Sequence, residues 1–181
     1  MSNLRTQPSS SNTRMHSSAN TSQQQLKFRL YPKTKAMLPI KQITEVLKIQ
    51  LAQIMPIPQM PAWVMGVYNW RGDILWMLDL GQLLGLDSWY QQQHDRLLHT
   101  AIVLSPEREG NNDNQIHLGL VVAGVDDLET CDPAAIQAVL DSPINPRLNS
   151  FLQGYWLQSS GEMVLALDGQ AIASAMPTAT N

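Results

Sequence analysis

The hydrophobic residues of this chain occur in ten short runs of five to eight residues, each bounded by polar or turn-forming residues. The first run alternates, with Leu26, Phe28 and Leu30 on one face and polar or charged side chains on the other. Alternation with period two is typical of a β-strand with one buried face. Closing a sheet removes the unpaired edges that ten such strands would otherwise expose. The pattern therefore predicts a mainly β protein made of two small barrels.

Turn-forming residues between the runs define the predicted strands. The strands are expected at residues 26–30, 36–40, 44–49, 63–70, 73–79, 98–104, 115–122, 125–130, 151–158 and 162–167. A tight hairpin turn is expected at residues 71–72, where a glycine can adopt a positive φ. Asp79 and Asp168 follow strands at positions typical of a helix N-cap, and the pair at 132–133 predicts a helix over residues 134–140. Helices are expected to be few and short.

The N-terminal segment differs in composition from the rest of the chain. Of residues 1–25, 17 are Ser, Thr, Asn or Gln, and none is acidic. Such a segment cannot bury enough apolar surface to offset the entropy lost on ordering. We expect a disordered tail over residues 1–25, a folded domain over residues 26–175 and a flexible C-terminus over residues 176–181. An organelle transit peptide is the alternative for the tail.

The charge of the chain is nearly balanced. It has 12 Lys and Arg against 15 Asp and Glu, with no basic cluster that would neutralise a nucleic-acid backbone. The single cysteine, Cys131, excludes an intramolecular disulfide, as expected in a reducing compartment. The uncharged stretch at residues 49–70 contains three prolines and four amide side chains, which exclude a membrane-spanning helix. The sequence predicts a cytoplasmic protein that binds no nucleic acid and does not insert into a membrane.

No arrangement of residues typical of an enzyme occurs in the sequence. It lacks a Gly-x-x-x-x-Gly-Lys-Ser/Thr phosphate loop and a Gly-x-Ser-x-Gly nucleophile elbow. His94 and His99 lack further ligands at metal-binding spacing and are expected at the surface, whereas His117 is expected to be partly buried with one hydrogen bond. The acidic cluster at residues 126–129 lacks a calcium-loop pattern and is expected in a solvated turn. We predict no catalytic residue, no metal site and no cofactor.

A set of short motifs occurs in order along the folded region. They are Leu38-Pro39-Ile40, Ile43-Thr44-Glu45-Val46, Ile57-Pro58, Gly66-Val67, Asn69-Trp70-Arg71-Gly72, Asp79-Leu80, Leu84-Gly85 and Gly119-Leu120-Val121-Val122 with Val125. In this order they resemble the CheW-like domain, the adaptor domain that couples bacterial chemoreceptors to their histidine kinase. The resemblance covers residues 26–173 and implies two five-stranded SH3-like barrels packed through a shared hydrophobic core.

The resemblance implies a noncatalytic adaptor with two kinds of protein partner. One is the cytoplasmic tip of a methyl-accepting chemoreceptor, and the other is the CheW-like regulatory domain of a CheA-type histidine kinase. Such adaptors serve chemotaxis or type IV pilus-driven motility, and the motifs do not choose between these pathways. The alternative is a ligand-sensing barrel that binds a small molecule at a tryptophan-rich face, since tryptophan occurs at positions 63, 70, 76, 89 and 156.

The resemblance assigns four residues to a receptor-facing surface: Ile43, Glu45, Gly66 and Arg71. Three of them also have a structural interpretation. Arg71 could brace the hairpin turn through backbone carbonyls, and Glu45 could form an ion pair with Arg71. Gly66 could allow strands to pack closely. The sequence leaves these alternatives open.

Three positions depart from the pattern of the family that the chain resembles. Trp70 stands between Asn69 and Arg71, where a small aliphatic residue is usual. Trp76 occupies a position where proline is common, and Ala123 replaces a frequent aspartate. The two tryptophans near the predicted hairpin suggest a repacked groove or a different partner.

Overall fold

The computed structural model of the chain describes residues 22–88, 97–105, 116–138 and 145–177. Its strands are β1 (Gln23–Leu30), β2 (Thr34–Pro39), β3 (Ile43–Ile49), β4 (Val64–Trp70), β5 (Asp73–Asp79), β6 (His99–Leu104), β7 (His117–Val122), β8 (Gly124–Cys131), β9 (Leu152–Leu157) and β10 (Met163–Leu167). The α-helices are α1 (Leu80–Leu83), α2 (Pro146–Asn149) and α3 (Gly169–Ser174), and 3-10 turns cover Ile40–Gln42, Leu51–Gln53 and Pro133–Ala135. Each of the ten predicted strands corresponds to one of these strands.

The strands form two five-stranded sheets. Sheet 1 has the strand order β8-β1-β2-β10-β9, and sheet 2 has the order β3-β6-β7-β5-β4. Neighbouring strands are antiparallel except for one parallel pair in each sheet, β2 with β10 and β5 with β7. The predicted mainly β class, with two small five-stranded SH3-like units and few short helices, is confirmed.

The two sheets have the same strand arrangement, shifted along the chain. Sheet 2 uses the consecutive strands β3 to β7, whereas sheet 1 places β8, β9, β10, β1 and β2 in the corresponding positions. In each sheet a hairpin, β4–β5 or β9–β10, supplies one edge, and the strand that precedes it in the chain forms the opposite edge. Sheet 1 is therefore assembled from both ends of the folded region.

Adjacent residues of the inner strands belong to different hydrophobic clusters. Leu38 and Leu78 lie in a large cluster to which both sheets contribute. Their neighbours Met37 and Met77 lie in two smaller clusters, one for each sheet. All four side chains are buried. Strands with both faces buried appear in a sequence as nearly continuous apolar runs, as at residues 118–122. The large cluster is the shared core that holds the two sheets together.

Side chains link the two edge strands of each sheet. In sheet 2, Glu45 of β3 accepts hydrogen bonds from Trp70 of β4 and from Arg71 directly after it. In sheet 1, Glu129 of β8 accepts a hydrogen bond from Gln158, which directly follows β9. Within the described residues, no backbone ladder joins β3 to β4 or β8 to β9. Each sheet therefore curls so that its edges meet through side chains, whereas the sequence had suggested closure by backbone pairing.

The folded region begins before the predicted boundary. Strand β1 starts at Gln23, and residues 23–25 pair with the edge strand β8. An edge strand offers main-chain donors and acceptors, so this pairing requires no apolar side chains. At the other end, Met176 is buried against the shared core and belongs to the fold, not to a flexible C-terminus. Residues 1–21 and 178–181 lie outside the described residues.

The helix predicted at residues 134–140 is replaced by a 3-10 turn in the part of that range that the structure describes. Asp132 acts as the N-cap, because its carboxylate accepts a hydrogen bond from the Ala134 N–H at 2.9 Å. The chain then becomes extended, and the backbone of Gln137 forms two hydrogen bonds with that of Tyr155 in β9. Pairing with a distant strand therefore overrides the local helix signal. Residues 139 and 140 are not described.

The acidic cluster at residues 126–129 belongs to strand β8 and not to a solvated turn. Its carboxylates contact basic side chains of β1. Asp126 lies 2.8 Å from the Nε of Arg29, and Glu129 pairs with Lys27. Cross-strand pairs of opposite charge stabilise a sheet. Lys27 is buried, and its hydrogen bond to Glu129 raises the pKa of Lys27 above the ordinary value.

The surface position expected for His99 is also wrong. This residue opens strand β6, pairs with Ile49 of β3 and is buried. Strand β6 lies inside sheet 2, between β3 and β7, which the spacing of histidines in the sequence could not show. His94 lies outside the described residues.

We expect Lys27 to stabilise the fold in a pH-dependent manner. Because its folded-state pKa is raised, its contribution is complete below the unfolded value of 10.5 and is lost as the pH rises through the folded-state pKa. Lys27→Met should lower the free energy of unfolding by about 1 to 3 kcal/mol near neutral pH, since Glu129 loses a charged partner. Above the unfolded pKa of Lys27, the difference from the wild type should shrink.

Urea denaturation across this pH range measures both effects. Lys48→Met is the control, because Lys48 is an exposed residue of β3 that donates a hydrogen bond to Thr100. A difference between Lys27→Met and the wild type that stays constant with pH would contradict the assignment.

Candidate functional site

The β4–β5 hairpin carries Trp70 and Arg71 at its tip. Trp70 pairs with Asp73, so Arg71 and Gly72 form a two-residue turn. Their φ angles of 57° and 96° are the positive values that a type I′ hairpin turn requires. The Asn69 side chain accepts a hydrogen bond from the Gly72 N–H at 3.1 Å. The hairpin predicted at residues 71–72 is confirmed, and its tip carries a charged side chain at the surface.

Glu45 of β3 binds both residues of this tip. One carboxylate oxygen accepts a hydrogen bond from the indole N–H of Trp70, and the other accepts one from the guanidinium group of Arg71 at 2.7 Å. The side chain of Glu45 is 24% exposed and that of Arg71 is 70% exposed. The Glu45–Arg71 ion pair is therefore confirmed, and Arg71 binds this carboxylate instead of the turn carbonyls. We refer to Glu45, Trp70 and Arg71 as the tip cluster.

Trp70 lies at the centre of the tip cluster and is only 8% exposed. Its ring meets that of His117 edge-on, with centroids 5.0 Å apart and an interplanar angle of 63°. The Cζ atom of Arg71 lies 5.5 Å from the ring centroid, within the range of a cation–π contact. His117 is half-buried and shares a 2.9 Å hydrogen bond with Ser105, as predicted.

Sequence reasoning did not assign Trp70 to the site. The available signal was the unusual tryptophan beside Arg71, but its hydrogen-bond partner Glu45 is 25 residues away in the chain. No local pattern connects the two positions.

The other two residues expected at the surface have structural roles. Ile43 is half-buried and packs against the shared core. Gly66 is buried with a φ of 138°, and a Cβ added there would lie 2.7 Å from the carbonyl carbon of Met55 and 2.9 Å from the Cα of Pro56. The close-packing interpretation of Gly66 is confirmed. Of the four predicted residues, the structure brings only Glu45 and Arg71 into contact.

Two exposed isoleucines lie on neighbouring strands near the tip. Ile74 is the second residue of β5 and is 65% exposed, and Ile116 directly precedes β7 and is 41% exposed. Leu75 pairs with His117 in the parallel ladder, so the residues before them are neighbours. By strand register they lie on the face of sheet 2 opposite to Trp70, and adjacent exposed apolar side chains favour a protein contact surface. We refer to Ile74 and Ile116 as the isoleucine pair.

Comparison with known proteins agrees with the motifs and the fold. A family model described as the CheW-like domain matches residues 24–176. The chain belongs to the CheW-like domain family. The solved structure of the scaffolding protein TtCheW from Thermoanaerobacter tengcongensis has the same fold, with a TM-score of 0.63 and 20% identity over 81% of this chain and 89% of that chain. No curated protein sequence matches the chain.

Membership of the CheW-like family makes the chain a noncatalytic scaffold of the chemotaxis type. Within the described ranges, no group of three or more His, Cys, Asp or Glu side chains is arranged to hold a metal ion. Of the helices in the same part of the chain, none has the length and apolar character needed to cross a membrane. Because a scaffold acts by contacting other proteins, the tip cluster and the isoleucine pair are the candidate contact surfaces.

The tryptophans of this CheW-like domain do not form one face. Trp63 lies in the shared core, and Trp76 packs against it. Trp70 belongs to the cluster of sheet 2, whereas Trp156 packs against that of sheet 1. Trp89 lies outside the described residues. The tryptophan-rich face on which the ligand-sensing alternative depended is not formed by the four described tryptophans.

We expect Gly66→Ala to destabilise the fold strongly. The added methyl group would overlap the main chain of residues 55 and 56, and the φ of 138° disfavours any side chain. The free energy of unfolding should fall by about 3 kcal/mol or more. Gly161→Ala is the control, because Gly161 also has a positive φ but no atom lies within 4 Å of an added Cβ. Its cost should be about 1 kcal/mol. Equal losses in urea denaturation would show that close packing is not the reason for the glycine.

Proposed function

We propose that this CheW-like domain couples methyl-accepting chemoreceptors to a CheA-type histidine kinase. It binds the cytoplasmic tip of the receptor and the CheW-like regulatory domain of the kinase. It acts in the cytoplasm and joins membrane receptor arrays through these partners. The match of the family model over residues 24–176 supports the scaffold role.

The observation that carries the receptor-facing part of the proposal is the exposed arginine of the tip cluster. Arg71 is held by Glu45, so the hairpin tip offers a fixed cation, and the isoleucine pair exposes apolar side chains on the opposite face of the same sheet. Arginine is enriched among the residues that dominate binding energy at interfaces. The cytoplasmic tip of a chemoreceptor is helical, and a helix can present an acceptor group beside apolar side chains. In this proposal Arg71 meets the receptor and Glu45 holds it in place, whereas Ile43 packs against the shared core and Gly66 against the main chain of residues 55 and 56.

The proposal includes two alternative pathways for the adaptor. One is chemotaxis, and the other is type IV pilus-driven movement, either twitching or phototactic. Co-purification of the tagged chain from its native cell should recover a CheA-type kinase. Deletion of the adaptor's gene should impair directed swimming if the adaptor acts in chemotaxis, and surface movement if it acts with type IV pili. Failure to bind every such kinase encoded in the same genome would overturn the adaptor role.

Replacement of the exposed arginine tests the proposed surface. Arg71→Ala should weaken binding to the receptor cytoplasmic fragment by roughly 1 to 4 kcal/mol. Unfolding in urea should change by less than about 1 kcal/mol, because exposed ion pairs contribute little to stability. Isothermal titration and urea denaturation on the same variant measure both quantities. Arg147→Ala, which removes an exposed arginine of α2, is the control. A stability loss with unchanged affinity per folded molecule would remove Arg71 from the surface.

The isoleucine pair tests the opposite face of the β4–β5 hairpin as a further part of the receptor contact. Ile74→Asp should weaken receptor binding about tenfold or more, because a carboxylate would have to be desolvated against an apolar partner. Its fold should persist, since the side chain is 65% exposed. Leu157→Asp is the matched control, because Leu157 is 55% exposed on β9 of sheet 1. Equal effects of the two substitutions would show that the isoleucine pair is not part of the interface.

A further inference from the structure

We propose that Trp70 is a positioning residue that holds Glu45 and Arg71 in the arrangement a protein partner recognises. The adaptor then presents a fixed guanidinium donor to an acceptor on the partner, either a carboxylate or a main-chain carbonyl. This inference rests on the proposed function, because it requires the tip cluster to meet a partner. It adds Trp70 to the site and requires a hydrogen-bond acceptor on the partner, neither of which the family match assigns.

The first support is that both oxygens of the Glu45 carboxylate are engaged within the chain. Oε1 accepts the indole N–H of Trp70, and Oε2 accepts a guanidinium N–H of Arg71. A carboxylate held at both oxygens cannot turn towards solvent without losing one of these bonds. Glu45 therefore acts as an internal support, and the group available to a partner is Arg71.

The second support is the contrast in exposure within the tip cluster. Trp70 is 8% exposed and offers almost no surface to a partner, whereas the Arg71 side chain is 70% exposed. A guanidinium group has five N–H donors in a rigid plane, so donors remain after one has bound Glu45. The ring of Trp70, 5.5 Å from the Arg71 Cζ, also restricts where that group lies. Fixing a long side chain before binding reduces the entropy lost in the complex.

The third support is that sheet 1 contains an equivalent hydrogen bond between its two edges, at the corresponding position of its hairpin. Val67 of β4 and Tyr155 of β9 each pair with a segment that precedes their hairpin. Trp70 lies three residues after Val67, and Gln158 lies three residues after Tyr155. Each donates a side-chain hydrogen bond to a glutamate on the opposite edge strand. A donor at this position is thus a repeated feature of the fold that connects the two edges.

The two links differ in the basic residue that shares the glutamate. In sheet 1, Glu129 also binds Lys27, whose side chain is only 10% exposed. In sheet 2, Glu45 binds Arg71, whose side chain is 70% exposed. The basic residue bound to the glutamate is therefore buried in sheet 1, whereas in sheet 2 it is a charged group that a partner can reach.

The first experiment requires no partner and measures the order of Arg71 directly. In ¹⁵N-labelled protein, the Arg71 Nε–H should show a high heteronuclear NOE that falls in Trp70→Phe, which keeps a ring but removes the donor. Trp156→Phe, which alters a tryptophan packed against the cluster of sheet 1, should leave the Arg71 signal unchanged. An Arg71 side chain equally ordered in Trp70→Phe would overturn the positioning role.

The second experiment measures affinity for the receptor cytoplasmic fragment, per folded molecule as determined by far-UV circular dichroism. Trp70→Phe should raise the dissociation constant about three- to tenfold, as expected when one long side chain that was held in place must instead be ordered on binding. Trp156→Phe should not change it. In a Glu45→Ala background, Trp70→Phe should add less than about a twofold effect, because the residue through which it acts is gone.

Two results of the affinity measurements would overturn the inference. One is an unchanged dissociation constant in Trp70→Phe while Arg71→Ala weakens binding, which would leave the proposed function intact. The other is an equal effect of Trp70→Phe with and without Glu45. A wild-type chain that binds no receptor fragment would instead contradict the proposed function, and the order of Arg71 in the partner-free experiment would still decide the structural part.

Discussion

Burial of both faces of each sheet is the constraint on which the rest of this structure depends. Met77 and Leu78 are adjacent in β5, yet one lies in the cluster of sheet 2 and the other in the core shared by both sheets. Met37 and Leu38 show the same division in sheet 1. A strand that is apolar on both faces has no side left for polar groups. The candidate site lies instead on an edge strand, at Glu45 of β3, and at the tip of the β4–β5 hairpin.

The edges of the two sheets show how this constraint is met. Each sheet leaves two edge strands without a common backbone ladder, and a glutamate on one edge accepts a side-chain donor from the other. A carboxylate can accept hydrogen bonds at both oxygens, so it joins edges that are not in backbone register. In sheet 1 this link includes buried Lys27, while in sheet 2 it includes exposed Arg71. The same type of glutamate hydrogen bond thus stabilises sheet 1 and, in our proposal, holds the exposed arginine of sheet 2 in position for a partner.

A noncatalytic scaffold must offer fixed surfaces, and in our proposal the tip cluster is one of them. The ion pair of Glu45 with Arg71 is partly exposed and contributes little to folding. The type I′ turn and the hydrogen bond from Trp70 limit the positions that Arg71 can adopt. The isoleucine pair exposes apolar side chains on the opposite face of the same hairpin region. Together these features define the surface that we propose for a partner.

The sequence by itself determined those features that depend on neighbours in the chain. Alternation and turn residues predicted all ten strands and the hairpin at residues 71–72, and Asp79 and Asp168 cap helices as expected. Motif order also identified the family. Only tertiary structure decided that residues 23–25 extend β1 and that residues 136–138 are not helical, because distant strands β8 and β9 supply their partners. It likewise joined Trp70 to Glu45, since curling of sheet 2 brings together edge positions that are 25 residues apart in the chain.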